Sequence, residues 1–200
     1  MANEDLHVFM VCEQLNFSAF SCLPPSYFFR CLTIDEISLW IKFPFDGKEL
    51  KPAQRQFMSD YIAKTYDNDL EKLCQNTWVV SNQENEILAT CTRWQAYGSI
   101  NTIQWLKTMN KYEGKGIGRA LLTKVFRSFR KDDFPVFLHT QSGSYKAIKL
   151  YSDFGFSIIT DEIPGPAPNE WKEALPVLKQ CMKEESFHRL QYRPCPKVLK

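Results

Sequence analysis

The chain has 200 residues, of which 44% are hydrophobic and 24% charged, and its formal net charge is +2. This is the composition of an ordinary globular protein with enough apolar residues to bury a sizeable core. The small net charge and the scattered basic residues argue against a nucleic-acid partner. No run approaches the roughly 18 consecutive apolar residues of a membrane span, and the acidic N-terminus is unlike a signal peptide, so we expect no membrane partner.

The first half of the chain predicts two helices and four strands. The apolar pattern favours a strand over 27–32 and then a helix in which Thr33 and Glu36 form a capping box. A second helix begins near Pro52 and ends around 67–69. The β-branched and aromatic residues that follow predict an antiparallel meander of three strands, over 78–81, 87–94 and 100–108.

The second half also alternates between helices and strands. A helix follows the glycines of 114–118, with its apolar residues on one face: Ala120, Leu121, Val125, Phe126 and Phe129. A short strand over 136–138 leads to a further helix, which Gly155 ends, and 156–160 is strand-like. Prolines make 164–168 a stiff connector, 169–185 has a helical pattern that contains Pro176, and 187–192 is expected as a last strand.

These elements predict one mixed α+β domain with a central sheet over residues 26–192. Within it, 161–186 form a Pro-rich connector and a helical insertion. Residues 1–25 are an N-terminal extension to which the sequence assigns no role, and 193–200 form a C-terminal tail.

The cysteines and histidines do not form a metal-binding pattern. The seven cysteines include no C-x-x-C pair, and their odd number argues against a disulfide framework. The three histidines form no H-E-x-x-H pattern. We therefore expect no metal, and reduced, mostly buried thiols in a cytoplasmic protein.

The most informative stretch is YEGKGIGRALL, which begins at Tyr112. Three glycines at alternate positions lead into an apolar helical pattern, so they place backbone amides at a helix N-terminus, where a phosphate or pyrophosphate is favoured. A Walker loop is excluded because Gly116 follows Lys115 where Ser or Thr is required. A G-x-G-x-x-G loop is excluded because Arg119 or Leu121 stands at the third glycine position. The remaining arrangement is a strand, a pattern close to Q/R-x-x-G-x-G/A with Glu113 in its first position, and a helix.

A second stretch, SYKAIKLYSDFGF from Ser144, is similar to an N-x-x-A-x-x-L-Y-x-x-x-G-F helix. With the glycine loop, about one helix and one strand apart, it resembles the GNAT superfamily of N-acetyltransferases. The resemblance covers 76–160 by motif and 27–70 by element order. It implies a mixed α/β fold with a mostly antiparallel central sheet flanked by helices, and a splayed strand before a pyrophosphate loop.

The resemblance also implies roles for individual residues. The backbone of Leu106 and Thr108 matches positions that bond the pantetheine arm of acetyl-CoA. Ser144 matches an Asn that contacts the donor, and Tyr151 matches a tyrosine that protonates the departing thiolate. The residues matching the pyrophosphate loop are Glu113, Gly114, Lys115, Gly116, Ile117, Gly118 and Arg119.

Two alternatives to these roles stay open: the three glycines could form only a tight turn, and Tyr151 is spaced equally well for core packing. Two residues also depart from the family pattern. Glu113 places an acid where the family has Arg or Gln. Ser144 replaces one hydrogen bond of the usual Asn but not two.

The acceptor side is less defined, because no Asp or Glu lies between Glu86 and Glu113. The candidate bases are Asp67, Asp69, Glu113 itself and Tyr97 acting through water. Arg93 and Lys107 suggest an acceptor that carries a carboxylate or phosphate.

The sequence therefore predicts an acetyl-CoA-dependent N-acetyltransferase that acts on a primary amine of a small molecule or protein, by direct attack on the thioester. The alternatives are a non-catalytic acyl-CoA-binding module and an acyltransferase with a longer acyl-CoA. A homodimer stays open.

Overall fold

The computed structural model describes residues 6–96, 98–163 and 167–197, which contain eight strands and seven α-helices. The strands are β1 (His7–Cys12), β2 (Phe28–Cys31), β3 (Thr77–Ser81), β4 (Ile87–Ala96), β5 (Ile100–Thr108), β6 (Val136–Gln141), β7 (Ser157–Ile159) and β8 (Gln191–Arg193). The helices are α1 (Ile37–Trp40), α2 (Pro52–Tyr66), α3 (Leu70–Gln75), α4 (Ile117–Phe126), α5 (Tyr145–Asp153), α6 (Trp171–Cys181) and α7 (Glu184–His188).

The strands form a single sheet with the order β2-β3-β4-β5-β6-β1-β7-β8. The pairs β2–β3, β3–β4, β1–β6 and β1–β7 are antiparallel, whereas β5–β6 and β7–β8 are parallel. The predicted mixed fold with a mostly antiparallel sheet and flanking helices is therefore confirmed.

The N-terminal residues supply a central strand that sequence reasoning did not assign. Strand β1 lies between β6 and β7, with Phe9 opposite His139 and Met10 opposite Ile158. Its residues Val8, Met10, Val11 and Cys12 are fully buried. The partners of β1 are more than a hundred residues away along the chain, so no local pattern indicates the pairing. The proposed boundaries at 25 and 192 stay predictions.

The chain divides into two compact units, and one of the points where it passes between them falls inside β5. The first unit comprises the described residues of 1–20, 97–102 and 130–200, and its core includes Phe9, Val11, Phe137, Ile159 and Cys195. The second unit comprises 21–96 and 103–129, with a core that is rich in aromatic residues, among them Trp40, Phe43, Tyr66 and Trp94.

Local sequence signals placed several helix ends correctly, although α3 was not predicted. The Glu36 carboxylate accepts from the Thr33 N–H at 3.1 Å, which completes the predicted capping box, and α2 begins at Pro52. Four of the five apolar residues predicted on one face lie in α4 and are buried, whereas Phe129 lies beyond the end of the helix and is partly buried.

The prediction of a strand over 187–192 was wrong in its first half. Residues Glu184–His188 form α7, and only Gln191–Arg193 is a strand. The N–H groups of Ser186 and Phe187 bond to the Lys183 carbonyl, while Glu184 and Glu185 occupy the first turn, where acidic side chains favour a helix.

Three further structural findings concern the described residues. Their helices include none with the length and apolar character that crossing a membrane requires. Nor do those residues contain a group of three or more His, Cys, Asp or Glu that could hold a metal ion. All seven cysteines are free thiols.

Candidate donor-binding site

The glycine loop in the second unit has the backbone conformation that its sequence demands. Gly114 and Gly116 both have φ of +77°, which is the left-handed region, and Gly116 is the N-cap of α4. Nothing in the described residues lies within 4 Å of a Cβ built at either position. The requirement for glycine is therefore conformational, and the space beside the turn is open.

The N-terminus of α4 presents backbone donors at this open turn. The first helical bond runs from the Ala120 N–H to the Gly116 carbonyl at 3.0 Å. The amides of Ile117 and Gly118 therefore precede the first intrahelical donor, and Gly116 has no side chain with which to cap them. The apolar residues along α4 are buried, and their packing holds the N-terminus of the helix in place. The arrangement suits an anion.

Charged side chains surround the turn. The Lys115 ammonium lies 4.9 Å from the centre of the Tyr112 ring. Glu113 ends a short 3-10 turn over Asn110–Tyr112, and its N–H bonds to the Asn110 carbonyl at 3.2 Å. Arg119 lies in the first turn of α4. The predicted loop residues therefore form one contiguous turn-and-helix segment.

The strand before the loop is interrupted at Trp105, which has φ of +51°. Gln104 accepts from the Tyr61 hydroxyl at 3.2 Å, and the ring centres of Trp105 and Tyr61 are 4.9 Å apart. Consecutive side chains of a regular strand point to opposite faces, so contact of both with Tyr61 shows that the alternation is broken here. Leu106 and Thr108, both half-buried, follow this irregularity.

Sequence reasoning did not single out Gln104, which lies on β5, the strand that leads to the loop. Its amide oxygen accepts from Tyr66 at 2.6 Å as well as from Tyr61. Burial raises the pKa of Tyr66 well above its usual value, so this phenol remains a neutral donor. No local pattern marks Gln104, because both partners come from α2.

The cations proposed for an acceptor are engaged within the second unit. The Arg93 guanidinium donates to the Ser128 carbonyl at 2.6 Å and lies 4.1 Å from the Phe129 ring centre. Lys107 donates to the Asn110 side chain at 2.9 Å. Both cations therefore have structural partners.

The candidate bases lie in different settings. The Asp69 carboxylate accepts from the Lys72 N–H at 2.9 Å and caps α3, while Asp67 is the left-handed residue that follows α2. Both occupy helix ends. Tyr97 lies outside the described residues.

The second predicted motif lies in the first unit. Ser144 precedes α5, and Tyr151 lies on that helix with only 6% of its surface exposed. The Tyr151 ring is tilted against Phe156, with 5.7 Å between centres. Gly155 has φ of +101°, and a Cβ there would lie 2.6 Å from the Gln14 carbonyl oxygen. The structure therefore places the loop residues in one unit and Ser144 with Tyr151 in the other.

His139 also belongs to the first unit. Its Nε2 lies 2.9 Å from Nδ1 of His7, and its ring stacks on Phe9. Although His139 is exposed by accessible surface, desolvation of its ring, together with the nearby His7, lowers its pKa to about 4. It is therefore neutral at physiological pH.

The sheet, the glycine turn and the helix that follows it are those of an acyltransferase fold. The chain matches the model of the acetyltransferase (GNAT) family over residues 38–156, which is more than half of its length. It belongs to the GNAT acetyltransferase family, whose members transfer acyl groups with acetyl-CoA as donor.

Solved structures show the same fold at low sequence identity. A GCN5-related N-acetyltransferase from Sphaerobacter thermophilus is 19% identical with a TM-score of 0.53, over 78% of this chain and 49% of that one. A GNAT-family acetyltransferase from Colwellia psychrerythraea is 16% identical with a TM-score of 0.53, over 78% and 54%. A tandem GNAT protein from the clavulanic acid biosynthesis pathway is 13% identical with a TM-score of 0.50, over 77% and 50%.

The chain spans about half the length of each of these three structures. A comparison with curated protein sequences gives no match.

Proposed function

We propose that this protein is an N-acetyltransferase that transfers the acetyl group of acetyl-CoA to a primary amine of a small molecule or a protein. The observation that carries the proposal is the left-handed glycine turn that opens onto the N-terminal amides of α4. Such a turn combines unpaired N–H groups with the positive end of the helix dipole. Membership of the GNAT family supports the assignment of the anion as the donor's pyrophosphate.

The chain's own residues fit that donor. The amides of Gly116, Ile117 and Gly118 bind the pyrophosphate, and Lys115 and Arg119 add positive charge. The backbone of Leu106 and Thr108 bonds the pantetheine arm as a neighbouring strand would. In the first unit, Ser144 contacts the donor through its hydroxyl.

The acetyl group arrives as a thioester, which the neutral amine of the acceptor attacks directly. A carbon–nitrogen bond forms and the carbon–sulfur bond breaks, so the electron pair of that bond leaves on sulfur. Tyr151 gives its phenolic proton to this thiolate, and the amine loses its own proton to solvent or a base. No residue becomes covalently acetylated in this route.

Replacing Tyr151 with Phe tests the catalytic assignment. The ring that packs on Phe156 is retained, so we expect the dissociation constant of acetyl-CoA, measured by calorimetry, to change less than about 2-fold. Loss of the acid should lower kcat by about 100-fold, measured as thiol release with a panel of amines. An unchanged kcat would show that Tyr151 is only a core aromatic.

The same assay separates the competing functions. Binding of acetyl-CoA without turnover on any amine would favour a non-catalytic acyl-CoA-binding module. Tighter binding of a longer acyl-CoA in a chain-length series would favour a different donor. A wild-type protein that binds no acyl-CoA would contradict the proposed function as a whole.

A further inference from the structure

A carboxylate outside both motifs is bonded to the segment that enters the glycine loop. Glu86 stands immediately before β4, and its Oε1 lies 2.6 Å from the Lys111 ammonium. Its other oxygen accepts from the Tyr112 hydroxyl at 3.1 Å. One carboxylate therefore holds two consecutive residues, and these precede Glu113 and the first loop glycine.

Glu86 is itself held by the turn between β3 and β4. Its backbone N–H donates to the Asn82 side-chain oxygen at 2.8 Å, and the Asn82 amide donates back to Oε2 at 3.2 Å. The Asn82 N–H also bonds to the Glu86 carbonyl at 3.2 Å. Hydrogen bonds and the Lys111 charge lower the pKa of Glu86, so the carboxylate is ionised under ordinary conditions. The anchor is thus hydrogen-bonded to its own turn and charged.

Tyr112 connects this anchor to the loop. The ammonium groups of Lys111 and Lys115 each lie 4.9 Å from the centre of its ring. Glu86 pairs with the Lys111 ammonium. Lys115 stands in the sequence between the two left-handed glycines, Gly114 and Gly116. Because the Tyr112 hydroxyl is bonded to Glu86, the ring on which Lys115 rests has a defined position.

We propose that Glu86 is a positioning residue for the donor loop, acting through Tyr112 and Lys111. The inference rests on the proposed function, because it takes the loop to be the donor site. Glu86 and Lys111 are 42% and 57% exposed, so their ion pair contributes little to global stability. Its effect is on binding, since a segment ordered in advance loses less conformational entropy when the donor arrives.

The turn before β4 offers a matched control for the test. Glu84→Gln removes the same charge from an exposed side chain of the same turn as Glu86→Gln. Tyr112→Phe removes the hydroxyl and keeps the ring beneath both lysines. All three positions are at least partly exposed, so the variants should fold.

Calorimetric titration with acetyl-CoA measures the effect. We expect Glu86→Gln and Tyr112→Phe each to raise the dissociation constant about 3- to 10-fold, with kcat at saturating donor unchanged within about 2-fold. The double variant should bind acetyl-CoA no more weakly than the weaker-binding of the two single variants, because both substitutions remove the same link between Glu86 and Tyr112. Glu84→Gln should bind like the wild type.

Amide hydrogen exchange of residues 110–118 in the protein without ligand gives a readout independent of binding. We expect exchange about 3- to 10-fold faster in Glu86→Gln and Tyr112→Phe than in Glu84→Gln. If the wild type binds acetyl-CoA but Glu86→Gln binds and exchanges like Glu84→Gln, the positioning role is wrong and the proposed function stands. If the wild type binds no acetyl-CoA, the proposed function fails, and a donor-positioning role fails with it; faster exchange would then show only that Glu86 orders this segment.

Discussion

At the scale of single residues, the proposed donor loop combines a favourable backbone with an unfavourable side chain. The two left-handed glycines and the first amides of α4 suit an anion, but Glu113 places a carboxylate directly beside the turn. Like charges at short range reduce affinity by an amount that salt screens. We therefore expect the acid to lower the affinity of the proposed donor site without removing that site.

Replacing Glu113 with Gln should strengthen donor binding. The amide keeps the shape of the side chain and removes one negative charge next to the pyrophosphate, so the dissociation constant of acetyl-CoA should fall about 2- to 5-fold in 50 mM salt. The gain in affinity should shrink in 500 mM salt, where the Debye length falls to about 4 Å and charge interactions are screened beyond it. Titrations at both salt concentrations check this, with Glu84→Gln as the charge-matched control. Equal affinity of Glu113→Gln and wild type at low salt would contradict it.

At the scale of elements, the end of α5 depends on a close backbone approach. Gly155 follows the helix with φ of +101°, and the Gln14 carbonyl oxygen occupies the place where a side chain would begin. The Phe154 carbonyl also accepts from the Asn16 N–H at 3.0 Å. The residues after β1 thereby pack directly against the end of the helix that carries Tyr151.

Gly155→Ala should lower the free energy of unfolding by about 2–4 kcal/mol, because it adds a backbone clash to left-handed strain. Gly98→Ala is the matched control: its φ is +82°, but nothing in the described residues lies within 4 Å of its Cβ. Strain alone should cost the control about 1 kcal/mol. Urea denaturation of both variants measures the difference, and equal losses would show that the close approach carries no energy.

At the scale of the whole molecule, stability depends on strands that are distant in sequence. Strand β1 pairs with β6 and β7, and the His7–His139 contact joins two of these strands. The pKa of His139 is lowered from 6.5 to about 4. The unfolded chain therefore binds a proton that the folded protein does not between these values.

This difference predicts a loss of stability in acid. The contribution of His139 is complete above about pH 6.5 and is lost progressively as the pH falls towards 4. His139→Gln should therefore show a smaller drop in Tm between pH 7.5 and pH 5 than the wild type. The exposed His188 is the control, and His188→Gln should keep the wild-type drop. Thermal melts at both pH values test this prediction. An identical drop in Tm in all three proteins would contradict the lowered pKa of His139.

Much of the fold could be predicted because its signals are local. The Thr33–Glu36 capping box, Pro52 at the start of α2 and Gly155 at the end of α5 each act within a few residues of the chain. The prediction of a strand over 187–192 was partly wrong because α7 has only 5 residues, and the apolar pattern of so short a helix cannot be distinguished from that of a strand.

By the resemblance of its two motifs the sequence indicated the family, and by itself it determined the mixed fold and the glycine turn that precedes α4. It could do so because glycine spacing and hydrophobic period express backbone conformation directly. Only the tertiary structure decided the central place of β1, the left-handed backbone of Trp105 and the contact of Glu86 with Tyr112, which lies 26 residues further along the chain. These features arise from pairing and packing between distant segments, and no local pattern records which distant residue a side chain will meet.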